Sequence, residues 1–161
     1  NKNKKEKGKT APAIPKAVKS FLSDTSSFSP EWSGSILRML PESVRGAYPL
    51  LREHLRILSA GICIGEAKGK DFIPAEELAL STALRPDAFP VADLDWDDAI
   101  RYLKKEALLL PAGTEKGYVL VRHKKFPLGF AKHLGNRANN LYPQEWRIRT
   151  GYIPEQVKTF E

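Results

Sequence analysis

Prolines and glycines are spread along this sequence, twelve and eleven of them in 161 residues. Because both residue types interrupt helices and mark turns, the chain is expected to consist of short elements and not of a bundle of long helices. Its length allows one domain or two small ones with a real core. The content of 42% hydrophobic and 28% charged residues is that of an ordinary globular protein.

Hydrophobic periodicity predicts strands and helices in mixed order, and therefore an α+β fold. Strands are predicted for residues 26–34, 35–40 and 55–69, and a hairpin joins 117–123 to 126–132. Helices are predicted from Pro15, over 42–55, after Pro74 and from Asp95. We expect residues 135–140 to form a loop, because Gly and Asn accept left-handed backbone angles, and residues 145–149 to form a last strand.

The net charge of +7 is concentrated in two parts of the chain. Residues 1–9 hold five lysines against Glu6, and residues 117–152 hold seven cations against Glu145, whereas the remainder is slightly acidic. Two local basic features indicate a polyanionic partner. The Lys, Gly and Pro content of residues 1–14 is typical of a flexible linker, because it cannot form a packed core.

Catalytic, nucleotide-binding and metal-binding patterns are not found. The stretch GICIGEAKGKD lacks phosphate-loop spacing, and no GxGxxG follows a strand. Asp95 as a helix cap accounts for most of the acidic run 93–98. Cys63 lies in an apolar strand and is the single cysteine, which excludes an internal disulfide and a cysteine zinc cluster. We expect no catalytic residue, metal or cofactor within this chain.

Residues 127–149 interleave cations with aromatic rings and amides. Cations suit phosphates, rings suit base stacking and amides suit base edges, so this mixture predicts an RNA-contacting surface. Folding the hairpin together with its following loop would bring several of the cations to one surface. The candidate RNA-binding residues are Arg122, Lys124, Lys125, Lys132, Arg137, Asn139, Asn140, Tyr142, Arg147 and Arg149.

The sequence predicts different environments for two aromatic residues of this region. For Tyr142, stacking on a base and packing beneath the basic surface are equally expected. Trp146 alternates with Ile148 in the predicted last strand, while Arg147 and Arg149 point the other way. We therefore expect Trp146 to pack towards the core.

Three segments resemble, in order, the C-terminal region of the Sun/Nop family of RNA cytosine-5 methyltransferases that have an RsmF-like tail. Residues 60–81 are similar to its strand, basic turn and Leu-Ala helix, and residues 98–110 to the helix with its Tyr-Leu pair. Residues 127–149 are similar to its terminal PUA-like signature, matched at Lys132, Asn140, Tyr142, Pro143 and Arg147. The family's two catalytic cysteines and its S-adenosylmethionine fold have no counterpart in this chain.

The resemblance implies a domain organisation. Residues 1–14 would be a flexible basic linker and residues 155–161 a tail. Between them, residues 15–92 would form a small mixed connecting (pre-PUA) subdomain and residues 93–154 a PUA-like β-rich module of pseudo-barrel type. Because the sequence opens on Asn1 and not on methionine, we expect it to be cut from something longer.

The function implied by the resemblance is RNA binding. The chain would position rRNA, or in second place tRNA, for an upstream methyltransferase domain that uses S-adenosylmethionine. The alternative is a protein-interaction domain, whose basic face docks an acidic partner or its own catalytic domain. No apolar run reaches the length of a membrane span and no signal peptide is present, so we expect no membrane partner and a cytoplasmic protein.

Overall fold

The computed structural model describes residues 14–152, which form two four-stranded sheets with short helices between their strands. The fold is α+β, as the sequence predicts. Apart from Ile14, the predicted basic linker lies outside the described residues, as does the predicted tail. The first half comprises α1 Lys16–Lys19, β1 Phe28–Ser33, β2 Ile36–Pro41, α2 Glu42–Arg45, α3 Tyr48–His54, β3 Ile62–Lys68, β4 Asp71–Pro74 and α4 Glu76–Ala79.

The first sheet is an antiparallel meander in the order β1-β2-β3-β4. Pro30 lies in β1, at the sheet's edge, as expected for a residue that cannot donate to a ladder. Gly65 allows β3 to approach β4 closely, since a Cβ there would lie 2.2 Å from the carbonyl oxygen of Ile73. The helix predicted over 42–55 is divided into α2 and α3, with Pro49 in the first turn of α3.

The second sheet contains β5 Val91–Leu94, β6 Gly117–His123, β7 Phe126–His133 and β8 Ala138–Asn140, in that order, with β5 parallel to β6. The β6–β7 hairpin is confirmed. So is the helix after Asp95, which is α5 Trp96–Leu103. Its first turn is capped by the Asp95 side chain, which accepts a hydrogen bond from the Asp98 backbone N–H at 2.9 Å.

Two predicted elements are wrong. Residues 138–140 are the strand β8 and not part of a loop, because pairing with β7 outweighs the low strand propensity of asparagine. Residues 145–149 are not a strand. The edge of β8 is already occupied by a bridge between Leu108 and Ala138, and the Ile148 backbone N–H donates instead to the Leu103 carbonyl at the end of α5.

One apolar core lies between the two sheets and a second lies under α5. The first core joins Leu37 and Ile64 of the first sheet to Leu120 and Phe130 of the second. The second core packs α5, through Tyr102, against the other face of the second sheet. The second sheet is therefore covered on both faces, which explains why three consecutive residues of β6, 119–121, are all buried. The predicted subdomain boundary after residue 92 falls within β5 and stays a prediction.

Candidate nucleic-acid interface

The Lys132 side chain lies on the face of the second sheet that is turned towards the first sheet, and it is about one third exposed. Its β6 partner is Tyr118, on the same face as the buried pair Leu120 and Phe130. The Lys132 ammonium lies 2.5 Å from Asp71 Oδ2 and 4.9 Å from the centre of the Tyr118 ring. The Tyr118 hydroxyl also donates to Asp71, at 2.9 Å. These hydrogen bonds lower the pKa of Asp71, and the Asp71 carboxylate raises the pKa of Lys132.

Asn140 joins β8 to the end of α5. Its side-chain amide donates to the carbonyl oxygens of Tyr102, at 2.8 Å, and Glu106, at 3.2 Å, and its Oδ1 accepts from the Tyr142 backbone N–H at 2.9 Å. The side-chain carbonyl and amide of Asn140 are thus both engaged within the protein.

Lys105 stabilises the same junction, a role that the sequence analysis did not predict. It has a left-handed backbone, with φ of 60°, directly after the last turn of α5. Its Nζ donates to the carbonyl oxygens of Asn140, at 3.2 Å, and Tyr142, at 2.5 Å. A lysine at a helix end is a common feature and carries no signal of such a role.

The Tyr142 ring packs against the protein, whereas Trp146 lies at the surface. The Tyr142 ring meets the Tyr102 ring edge-on, with centroids 5.4 Å apart, and burial raises its pKa. Trp146 meets the Tyr142 ring at 6.5 Å and is 51% exposed. The expectation that Trp146 packs towards the core is wrong, because it depended on a strand that does not form.

Gly129 allows a buried carboxyl to reach β7. Its φ is +147°, and a Cβ there would lie 2.2 Å from both Glu76 Oε2 and the Tyr102 hydroxyl, which itself donates to the Phe130 carbonyl. Glu76, on α4, is 8% exposed. Its burial raises its pKa to about 8, against the opposing effects of the Lys105 charge, of a hydrogen bond from the Phe130 backbone and of the neighbouring Tyr102 hydroxyl. Sequence reasoning missed Glu76, because an acid in a first helical turn is ordinarily solvated.

The predicted basic residues do not form one surface. Arg122 is held by Asp93 through two contacts of 2.6 and 2.8 Å across the β5–β6 pair. Lys124 and Lys125 form the β6–β7 turn, at the opposite end of β7 from its pairing with β8. The two ends of β7, Phe126 and His133, are seven residue steps apart, which corresponds to about 23 Å at about 3.3 Å per residue.

A second group of candidates gathers where α5 ends. Arg137 and Asn139 are exposed on and beside β8, and they line an open groove of about 660 Å³ with Arg101 and Lys105. The segment carrying Arg147 and Arg149, both exposed, runs past the same helix end through the bond from Ile148 to Leu103. We call this the helix-end surface, defined by Arg101, Lys105, Arg137, Asn139, Trp146, Arg147 and Arg149.

The helix-end surface carries exposed guanidinium groups. The carbonyl end of a helix favours cations, so the guanidinium groups are placed where the helix dipole stabilises them. Two acids also line the groove, and Asp98 lies 3.5 Å from Arg101.

Among residues 14–152, no group of His, Cys, Asp and Glu side chains could hold a metal ion. Within the same part of the chain, no helix is long and apolar enough to cross a membrane.

A β-rich module with one capping helix and a cationic groove at the helix end is of the PUA-like class. Residues 89–148 match the family model of the methyltransferase RsmF PUA domain. Ribosomal RNA small subunit methyltransferase F of Shewanella baltica is 32% identical over 110 residues, which cover 65% of this chain and 22% of that protein. Its namesake from Shewanella pealeana is 32% identical over 92 residues, covering 56% of this chain and 18% of that protein.

The chain therefore carries an RsmF-like C-terminal region, and the resemblance stated from its sequence is confirmed. It spans about a fifth of the length of the curated relatives it matches. The family match begins at Phe89 and so includes the whole of β5.

Proposed function

We propose that this chain is the RNA-binding C-terminal region of an rRNA cytosine-5 methyltransferase and that it positions RNA for a catalytic domain outside the chain. The proposal is supported by the match to the RsmF PUA domain and by the two relatives, whose name is that of an rRNA methyltransferase. S-adenosylmethionine would be bound by the catalytic domain, with no cofactor in this region. The protein would act in the cytoplasm, with tRNA as the second candidate substrate.

The observation that carries the proposal is the presence of several exposed cations and one exposed amide around the end of α5. Arg137, Arg147 and Arg149 can contact phosphates, because guanidinium groups bind phosphate oxygens through two donors at once. Asn139 is exposed and lines the groove with Arg137, so it can reach a base edge, and the half-exposed Trp146 ring can stack on a base. The RNA contacts predicted for Lys132 and Asn140 are less favoured, since both side chains bind within the protein.

The test compares a triple and a double variant at opposite ends of the second sheet. Arg137, Arg147 and Arg149 are changed together to alanine, and Lys124→Ala with Lys125→Ala is the control. Removal of one phosphate-binding cation should reduce the log–log dependence of affinity on salt by roughly one on duplex-like RNA. We expect the arginine variant to bind a structured rRNA fragment at least about tenfold more weakly, measured by fluorescence anisotropy at several salt concentrations.

The control variant should keep most of the affinity. Circular dichroism must give the same folded fraction for both variants, since exposed side chains contribute little to stability. Equal affinities for the arginine variant and the parent chain would contradict the assignment of this surface. Competition separates the proposal from its alternative: RNA of unrelated sequence should displace labelled RNA from this surface, whereas an acidic protein partner would bind it in one chosen register.

A further inference from the structure

A second surface of the chain is apolar and lies on the first sheet. The leucine surface, as we call it, comprises Val44, Leu50, Leu51, Leu55 and Leu58. Leu50 and Leu55 are each 60% exposed and Leu58 is 85% exposed. Single exposed leucines are ordinary, but five exposed large apolar side chains within fifteen residues are a concentration that suits an interaction site.

The helix that carries this surface is not held by a core of its own. None of the seven residues of α3 is buried. A helix this short is unstable in water without tertiary contacts. The contacts present are polar: Arg52 pairs with Glu31 at 3.0 Å and lies 5.8 Å from the centre of the Tyr48 ring. The ion pair joins α3 to β1, whereas the ring contact lies within α3, and the leucines remain exposed.

The charges around the leucine surface do not suit RNA. Arg45 forms an ion pair with Glu42 at 3.0 Å, and Arg52 forms one with Glu31. Residues 42–58 hold three arginines against two glutamates, so this segment is close to neutral. Phosphate binding depends on concentrated positive charge, which is found at the helix-end surface instead.

A pocket of about 300 Å³ lies beside the leucines and adds a specific feature. It is lined by Trp32, Tyr48, Leu55 and Leu58, among others. Polar side chains, among them Glu31 and Arg38, complete the lining. Aromatic and leucine side chains beside polar ones fit an apolar side chain of a protein segment.

We propose that the leucine surface docks an apolar face of the remainder of the same polypeptide, the catalytic part in the function proposed above, on which this inference rests. The matched relatives are about five times as long as the region this chain covers in them, so a large partner in cis is available. Docking through the first sheet leaves the helix-end surface on the second sheet open to RNA. It would also fix the orientation of that surface relative to the active site, because the two sheets share one core.

The experiment compares the complete gene product with the 161-residue chain by hydrogen–deuterium exchange. Backbone amides of residues 48–58 should exchange at least about tenfold more slowly in the complete product, because docking suppresses local opening. Leu55→Ser with Leu58→Ser should restore fast exchange there. Leu80→Ser, at a site that is 53% exposed on the same half of the chain, should leave the protection unchanged.

Four outcomes overturn the proposal: equal exchange of residues 48–58 in the two proteins, protection that survives the double leucine change, protection that disappears on dilution, or a gene product with no further domain. The third would assign the surface to a second copy of the chain. RNA affinity is measured on the same variants and separates the two proposals. The leucine changes should leave RNA affinity unaltered, whereas failure of the parent chain to bind RNA, with protection intact, would remove the RNA function and keep the docking.

Discussion

Lys132 and Asp71 form an ion pair between the two sheets, sixty-one positions apart in the chain, with the Tyr118 hydroxyl donating to the same carboxylate. In this arrangement the lysine joins the two sheets, and the Asp71 carboxylate offsets much of the attraction that the ammonium would exert on a phosphate.

We therefore expect Lys132→Met made together with Asp71→Asn to change RNA affinity by less than about twofold, because the pair as a whole is neutral and no unpaired carboxylate is left. Arg137→Ala, a single cation removed from the helix-end surface, should weaken binding more than this. Anisotropy titrations at one salt concentration measure both variants. A larger effect of the double change than of Arg137→Ala would return Lys132 to the RNA interface.

Asn139 and Asn140 are neighbours with opposite expected effects. Asn140→Ala removes three hydrogen bonds at the end of α5 and should lower the free energy of unfolding by about 2–4 kcal/mol. Asn139 is exposed, so Asn139→Ala should change stability by less than about 0.5 kcal/mol while weakening RNA binding. Urea unfolding and RNA titration of both variants check the pair, and a reversed pattern would contradict the placement of the two side chains.

Gly129→Ala should be among the most damaging single substitutions in the second sheet. The added Cβ would meet the Glu76 carboxylate and the Tyr102 hydroxyl at 2.2 Å, in a backbone conformation that favours glycine. We expect the free energy of unfolding to fall by about 3 kcal/mol or more. Gly113→Ala is the control, since φ there is +84° but nothing lies within 4 Å, so only about 1 kcal/mol of backbone strain applies. Similar destabilisation of the two variants would show that the close approach is unimportant.

Glu76 should make the stability of the chain depend on pH. Its folded-state pKa of about 8 lies above its usual value of 4.5, so the folded state holds the proton that the unfolded state loses. The stability that Glu76 contributes is therefore fully present below pH 4.5 and falls as pH rises towards 8, with each tenfold difference in proton affinity corresponding to about 1.4 kcal/mol. Glu76→Gln cannot ionise and should lack this dependence. Urea unfolding between about pH 5 and pH 8 tests it, and parallel profiles for both proteins would exclude Glu76 as the cause.

Local patterns predicted those elements whose formation is decided by neighbouring residues. The β6–β7 hairpin follows from alternation around a two-lysine turn, and α5 follows from Asp95 as its cap. β8 was missed because its pairing depends on β7 and on Leu108, not on the propensities of its own asparagines. The segment 145–149 alternates like a strand but finds no free strand edge.

The candidate site was predicted in its residue types and only partly in its location. Alternation tells which side chains share a face, but it cannot tell that the first sheet covers the face that holds Lys132. Asp71 is distant in the sequence, and no sequence pattern near Lys132 identifies Asp71 as its partner. Arg137, Arg147 and Arg149 stayed exposed because they lie outside the regular ladder or at its end.

The core shared by the two sheets limits how this region can be moved between proteins. Phe130 and Leu120 of the second sheet pack in one core with Leu37 and Ile64 of the first. A fragment that begins at residue 93 would therefore expose the apolar face of the second sheet that the first sheet covers. Such a fragment would be prone to aggregate. For protein engineering, the portable unit of this chain is both sheets together.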